Sequence, residues 1–108
     1  MSASLIAMLI SLKFTAAGVS QHELALPSGA TITYVNDDTR PHQVYSPDCG
    51  GLSSLLLSPG DSFVARAPTG PRSCHFQDLL HPSESSYSGA VSVAPAPVDD
   101  WVSPNVTP

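Results

Sequence analysis

The sequence predicts a single all-β domain, a Greek-key β-sandwich or barrel of about seven short strands. Short runs in which apolar and polar residues alternate recur along the chain, as expected for strands that bury one face. Turn signals rich in Pro, Gly, Asn and Asp separate these runs, and no stretch has the apolar period of an amphipathic helix. A chain of 108 residues has the length of one domain.

The first three strands are predicted from alternation and from β propensity. The segment 11–16 begins with apolar and polar residues in turn, and Gly18 ends it. The segment 23–26 alternates again and stops at the turn signal Pro27-Ser28-Gly29. The segment 30–35 combines β-branched and aromatic residues at a period of two, which makes it the clearest strand of the sequence.

Four more strands are predicted in the second half of the domain. A short strand over 42–45 follows a polar loop, and a longer one over 62–67 follows a Pro-Gly turn. The strand 73–77 precedes a long loop over 78–88, and the alternating segment 89–93 closes the domain.

Both ends of the chain are predicted to lie outside a domain that spans 11–94. Residues 1–10 are either a leader remnant or the start of the first strand, since Leu5–Ile10 resembles the apolar region of a signal peptide but no positive charge precedes it. This run is too short to span a membrane. The Pro-rich segment 95–108, which contains Trp101, is predicted to be a flexible tail.

Charge and motif content exclude several functions. Four Lys and Arg stand against nine Asp and Glu, for a net charge of −5, so the basic cluster that binds nucleic acid or an anionic membrane is missing. Because no nucleophile motif, phosphate loop or paired catalytic acid is present, we expect a protein that is not an enzyme. Asp37, Asp38 and Asp48 lack the spacing of a calcium loop and are predicted to stabilise turns.

Four segments in order resemble those of the cupredoxins, the small copper proteins that include plastocyanin, azurin and amicyanin. They are Leu26–Asn36, Asn36–His42, Leu57–Phe63, and His81-Pro82 with the strand that begins at Gly89. The resemblance implies a cupredoxin fold, copper as cofactor and electron transfer as the default activity. It also implies a periplasmic or secreted protein whose partner is another exported redox protein or a copper carrier.

The resemblance places two histidines in a metal site. His42 matches the first histidine ligand of the family and His81 the second. The thiolate position, three residues before His81, is Asp78, and Phe76 matches the aromatic residue that precedes it. Residues 82–88 contain no Met for the axial position. We therefore expect copper at His42, Asp78 and His81, with a carboxylate in place of the thiolate that blue-copper sites use.

The chain has two cysteines, Cys49 and Cys74, which permit either a disulfide or one thiolate ligand with a spare thiol. Cys74 precedes Asp78 by four residues, roughly 13 Å along a strand. It precedes His81 by seven, a longer spacing than the family uses. We favour a Cys49–Cys74 disulfide, which suits an exported protein and would join the two ligand-bearing segments.

Three functions stay open at the level of sequence. The first is copper holding or delivery through the His-Asp-His site, which favours Cu(II) because a carboxylate is a harder ligand than a thiolate. The second is a metal-free, disulfide-linked binding or structural module. The third is an ordinary electron-transfer cupredoxin with Cys74 as the thiolate. In each case we expect a monomer, and we expect His75 to face outward because Phe76 faces the core.

Overall fold

Eight strands form two sheets of four in the computed structural model, which describes residues 10–97. In chain order they are β1 (Ser11–Thr15), β2 (Gly18–Val19), β3 (Glu23–Leu26), β4 (Thr31–Asn36), β5 (Val44–Tyr45), β6 (Ser62–Arg66), β7 (Arg72–Asp78) and β8 (Gly89–Val93). Single 3₁₀ turns lie at Gly50–Leu52 and Ser85–Tyr87. Residues 1–9 of the predicted leader and 98–108 of the predicted tail lie outside the described residues, so the proposed domain limits stay predictions.

The first sheet has the strand order β2-β1-β4-β6. Its central strands β1 and β4 run parallel, with Leu12 opposite Tyr34 and Phe14 opposite Asn36. The strand β6 pairs antiparallel with β4, and β2 pairs antiparallel with β1. The parallel pair means that the chain crosses between sheets from β1 to β4, as a Greek-key sandwich requires.

The second sheet has the order β3-β8-β7-β5. The strand β8 lies parallel to β3, with Leu24 opposite Val91, and antiparallel to β7, with Cys74 opposite Val91. The short strand β5 closes the sheet by pairing Val44 with Asp78 at the end of β7. This last pair brings the segment after His42 beside the predicted ligand Asp78.

One core fills the space between the sheets, because alternate residues of each strand point inward. The first sheet contributes Leu12, Phe14, Ile32, Tyr34 and Ala65, and the second contributes Leu24, Leu26, Cys74, Phe76, Val91 and Val93. His75 is exposed, as the alternation predicts. The predicted all-β sandwich is therefore confirmed, and its strands lie where the sequence patterns place them to within a few residues.

Two strand predictions were wrong in detail. The strand β2 was not predicted, because two residues carry no periodicity. The predicted strand 42–45 is shorter in the structure, and His42 pairs instead with Leu57 in an isolated bridge. None of the helical turns within residues 10–97 has the length or apolar character of a membrane-spanning helix.

Candidate metal centre

A polar loop between β4 and β5 carries His42, and the buried side chain of Asn36 shapes it. The Asn36 amide donates to the backbone carbonyls of Arg40 at 2.9 Å and Leu57 at 2.8 Å. Its carbonyl oxygen accepts from the backbone N–H of Asp38 at 2.8 Å. These bonds fold the loop back on β4 and turn His42 toward the interior.

The His42 ring is completely buried, and both of its nitrogens meet a carboxylate. Nε2 lies 2.8 Å from Oδ2 of Asp38. Nδ1 makes a very short contact with Oδ2 of Asp78, a carboxylate that is itself buried. A buried imidazole between two buried carboxylates is an electrostatic arrangement that needs positive charge, since isolated buried carboxylates are costly.

The two carboxylate contacts occupy both ring nitrogens of His42. A neutral imidazole has one N–H donor and one acceptor nitrogen, whereas a carboxylate accepts only. A metal ion that binds Nδ1 would therefore replace the hydrogen bond to Asp78 and would take that carboxylate as a second ligand.

Asp78 ends β7, and backbone amides fix its orientation. Its Oδ1 accepts from the N–H of Gln43 at 3.1 Å and of Leu80 at 3.0 Å. The other oxygen, Oδ2, is left for His42. The pairing of β5 with β7 places the Gln43 amide beside Asp78, so the sheet fixes the orientation of the Asp78 carboxylate.

His81 lies beside His42 in the turn that follows Asp78. Its backbone N–H donates to the carbonyl of Asp78 at 3.1 Å. Its Nε2 donates to the Pro41 carbonyl at 3.0 Å, and its Nδ1 lies 3.1 Å from Oε2 of Glu84. The centroids of the His42 and His81 rings are 5.0 Å apart.

One ligand atom from each of His42, Asp78 and His81 lies within 4.8 Å of the others. Within residues 10–97 no second group of three His, Cys, Asp or Glu side chains has this geometry. The structure thus brings together the three residues that the sequence predicted as ligands. Whether a metal binds them is a proposal, taken up below.

Two aromatic rings enclose the site on its inner side. The ring centroid of Tyr87 lies 4.5 Å from that of His42 and 5.8 Å from that of His81. Phe14 lies 5.2 Å from His42 and stacks on Tyr87. The hydroxyl of Tyr87 donates to the Thr15 carbonyl at 2.5 Å. These rings exclude water from the inner face of the histidines.

Arg40 connects the carboxylates around the site. Its guanidinium contacts Oδ2 of Asp38 at 3.4 Å and both carboxylate oxygens of Glu84 at 3.3 Å. The hydrogen bond from His42 lowers the pKa of Asp38 to about 2, with further help from Thr39 and Arg40. The hydrogen bond from Arg40 also lowers the pKa of Glu84. Both carboxyl groups are therefore ionised at neutral pH.

Solved structures with a similar fold include cupredoxins and a copper-containing nitrite reductase. A purple cupredoxin from Nitrosopumilus maritimus is 26% identical over 79% of this chain and 99% of its own, with a TM-score of 0.65. An oxidised amicyanin mutant is 18% identical over 84% of this chain and 88% of its own, with a TM-score of 0.66. This chain has a cupredoxin-like fold.

A copper-containing nitrite reductase from Thermus scotoductus shares the cupredoxin-like fold over a part of its length. It is 18% identical over 87% of this chain but 24% of its own, with a TM-score of 0.69. No protein-family model and no curated protein sequence matches this chain.

The two cysteines of this cupredoxin-like chain form a disulfide. Cys49 and Cys74 are bonded, with 5.8 Å between their Cα atoms, and neither is a free thiol. The predicted disulfide is supported, and the alternative with Cys74 as a copper thiolate is wrong in this structure. The bond joins the loop after β5 to the middle of β7, and its loop-closure entropy stabilises the fold by about 3 kcal/mol.

The donor set fits a divalent transition metal. Two imidazoles and a carboxylate are ligands that Cu(II) and Zn(II) accept, whereas the soft sulfur that favours Cu(I) is absent. A histidine that binds metal through one nitrogen usually donates its other N–H to a carboxylate or a carbonyl. Asp38 accepts from His42 in this way, and His81 has an acceptor at each ring nitrogen, the Pro41 carbonyl at Nε2 and Glu84 at Nδ1.

Sequence reasoning missed the residues that support the histidines. Asp38 was predicted only to stabilise a turn, and it does accept from the Thr39 amide, but its second oxygen binds His42. Arg40 and Glu84 were given no role. The one available signal was that a ligand histidine needs a hydrogen-bond acceptor, which points to acids in the same loop.

Proposed function

We propose that this cupredoxin-like domain binds one divalent copper ion through His42, Asp78 and His81, and that it holds or delivers the ion. The observation that supports the proposal is that ligand atoms of His42, Asp78 and His81 lie within 4.8 Å of one another, with His42 and Asp78 buried. The cupredoxin-like fold makes copper the first metal to test.

Each residue has a defined part in this proposal. Asp38 accepts a hydrogen bond from Nε2 of His42 and leaves Nδ1, which faces Asp78, as the nitrogen that binds the metal. The Gln43 and Leu80 amides keep the carboxylate of Asp78 in place. A copper ion held by His42, Asp78 and His81 would replace the hydrogen bond between His42 and Asp78 and would supply positive charge beside the buried carboxylate.

The same donor set argues against rapid electron transfer. Rapid electron transfer at blue copper depends on a thiolate, and both cysteines of this chain are in the disulfide. A nitrogen and oxygen site stabilises Cu(II) over Cu(I), so cycling between the two states is costly. We therefore propose a copper-holding or copper-delivering protein without catalytic activity.

The disulfide also favours an exported location. Disulfides persist in the periplasm and outside the cell, whereas cytosolic thiols are kept reduced. The proposed partner is accordingly an exported redox protein or a copper carrier, met in the periplasm or after secretion.

The experiment is a Cu(II) titration of the oxidised protein, followed by calorimetry and electron paramagnetic resonance. One tight equivalent is expected, with a weak absorption band and the wide hyperfine splitting of nitrogen and oxygen ligands. The variant His42→Ala/His81→Ala should lose this equivalent. The matched control is His22→Ala/His75→Ala, which removes the same number of imidazoles from exposed positions.

Two outcomes would contradict the proposal. Equal loss of binding in both double variants would mean that copper binds surface histidines. An intense visible band with narrow splitting would mean a thiolate ligand, and the assignment of Asp78 would be wrong.

A metal-free binding or structural module is the second candidate function. Within the described residues, every buried side-chain nitrogen and oxygen has a hydrogen-bond partner without any ion. The hydrogen bond between His42 and Asp78 is part of this complete network. Absence of stoichiometric copper uptake by the folded protein would favour this function over the first.

A further inference from the structure

We propose that Arg40 is a positioning residue that locks the two histidines of the site into one arrangement. One edge of its guanidinium binds Asp38, whose carboxylate contacts His42. The other edge binds Glu84, whose carboxylate contacts His81. This inference rests on the proposed metal site and adds the residue that couples its two ligand loops.

The first edge of Arg40 reaches the His42 loop. Its Nε lies 3.4 Å from Oδ2 of Asp38. The same oxygen lies 2.8 Å from Nε2 of His42. A shift of the Arg40 side chain therefore changes the acceptor that orients the His42 ring.

The second edge reaches the His81 loop. Nη1 and Nη2 of Arg40 each lie 3.3 Å from an oxygen of Glu84, in a two-pronged ion pair. Oε2 of Glu84 lies 3.1 Å from Nδ1 of His81, a contact that orients the ring for metal binding through Nε2. The path from one histidine to the other thus runs through Asp38, Arg40 and Glu84.

Tyr87 holds the guanidinium in the orientation that both contacts need. Its hydroxyl accepts from Nη2 of Arg40 at 3.0 Å, and the guanidinium carbon lies 5.5 Å from the ring centroid. The ring itself is fixed between Phe14 and the histidines. A lysine has a single ammonium group and cannot make these three contacts at once.

Charge and positioning predict opposite effects for the loss of Arg40. A cation next to a metal site repels the metal, so removing it should tighten copper binding if charge were its role. Removing a group that orients metal ligands typically weakens binding by about 10- to 100-fold. The variant Arg40→Gln therefore distinguishes the two roles by the direction of its effect.

The test compares copper affinity in the wild type, Arg40→Gln, Arg40→Lys and the control Arg66→Gln. Arg66 is exposed and donates to the carbonyl of Gly29 at 2.8 Å, remote from the site, so its loss makes the same change in net charge without touching the site. We expect about 10-fold or greater weakening in both Arg40 variants, and affinity close to wild type in Arg66→Gln.

A metal-free measurement accompanies the titration. Because Arg40 is partly exposed, its ion pairs add little to stability, and the thermal unfolding of Arg40→Gln should stay near that of wild type. The ¹⁵N resonances of the His42 and His81 rings should nevertheless both shift, while those of His22 and His75 stay in place. In Arg66→Gln all four ring resonances should match the wild type.

The outcomes separate this inference from the proposed function. If the wild type binds copper and Arg40→Gln binds it equally or more tightly, or Arg40→Lys equals the wild type, Arg40 is not a positioning residue. If the wild type binds no copper, the proposed function fails, and the ring resonances still decide: unchanged His42 and His81 signals in Arg40→Gln would overturn the inference.

Discussion

Asp78 stands where the resemblance to the cupredoxins places a thiolate, and hydrogen bonds fix the orientation of its carboxylate. It ends β7, is buried, and has one oxygen fixed by two backbone amides. The other oxygen meets His42. The backbone thus presents whatever side chain occupies position 78 to the imidazole, and this gives a direct test of the site.

We predict that Asp78→Cys converts the site to one with thiolate-copper spectroscopy. Two imidazoles and a thiolate form the trigonal set of blue-copper centres, and their charge-transfer band is intense. Visible absorption and electron paramagnetic resonance after copper addition check this, with Asp78→Asn as the control that supplies no thiolate. One titratable thiol must be found, because the Cys49–Cys74 bond should persist. A weak band with wide splitting in Asp78→Cys would show that position 78 does not reach the metal.

At the scale of elements, the short strand β2 supports the site from the side opposite β4. It pairs with β1, and Gly18 within it lies against the turn that carries Tyr87. Gly18 has φ of 131°, a conformation that residues with a side chain rarely adopt. A Cβ atom there would lie 2.5 Å from the Ser86 carbonyl oxygen.

We predict that Gly18→Ala lowers the free energy of unfolding by about 3 kcal/mol, from backbone strain and from the clash with Ser86. The matched control is Gly50→Ala, since Gly50 lies in open space and has no positive φ. Its effect should stay within about 0.5 kcal/mol. Urea unfolding followed by fluorescence measures both. Equal stability of the two variants would contradict the close packing of β2 on the turn.

At the scale of the whole molecule, specific hydrogen bonds stabilise the ionised form of some of the acidic residues. The hydrogen bond from the His42 ring lowers the pKa of Asp38 to about 2. The backbone amide of His75, followed by its ring, lowers the pKa of Asp48 to about 2 as well. Asp48 thereby holds the loop beside Cys49 against β7 through His75.

These shifts predict acid sensitivity in a defined window. The pKa of such a carboxyl group is lower in the folded protein than in the unfolded protein, where it is about 4, so the unfolded protein binds more protons. The contribution of this group to stability is therefore complete above about pH 4. That contribution is lost as the pH falls toward about 2. We predict that unfolding free energy falls with pH across this window and that Asp48→Asn makes the slope shallower. Denaturant unfolding at several pH values checks this, and an unchanged slope would show that Asp48 carries no such shift.

Much of the fold could be predicted because burial imposes a period of two on strands. The predicted segments 23–26 and 89–93 have the same bounds as β3 and β8. The predicted strand 73–77 is one residue shorter than β7 at each end. The two-residue strands β2 and β5 are too short to carry a period, so β2 was missed and β5 was extended to His42.

The sequence by itself determined the all-β class and the positions of most strands along the chain, because alternation is a local property. The resemblance to the cupredoxins, carried by short local motifs, added the candidate ligands His42, Asp78 and His81. Tertiary structure alone decided that Asp38 faces His42, that Glu84 faces His81, and that Arg40 joins them across 44 residues of sequence. Such contacts depend on which loops lie together at one end of the sandwich. Strand pairing determines which loops these are, and local sequence does not.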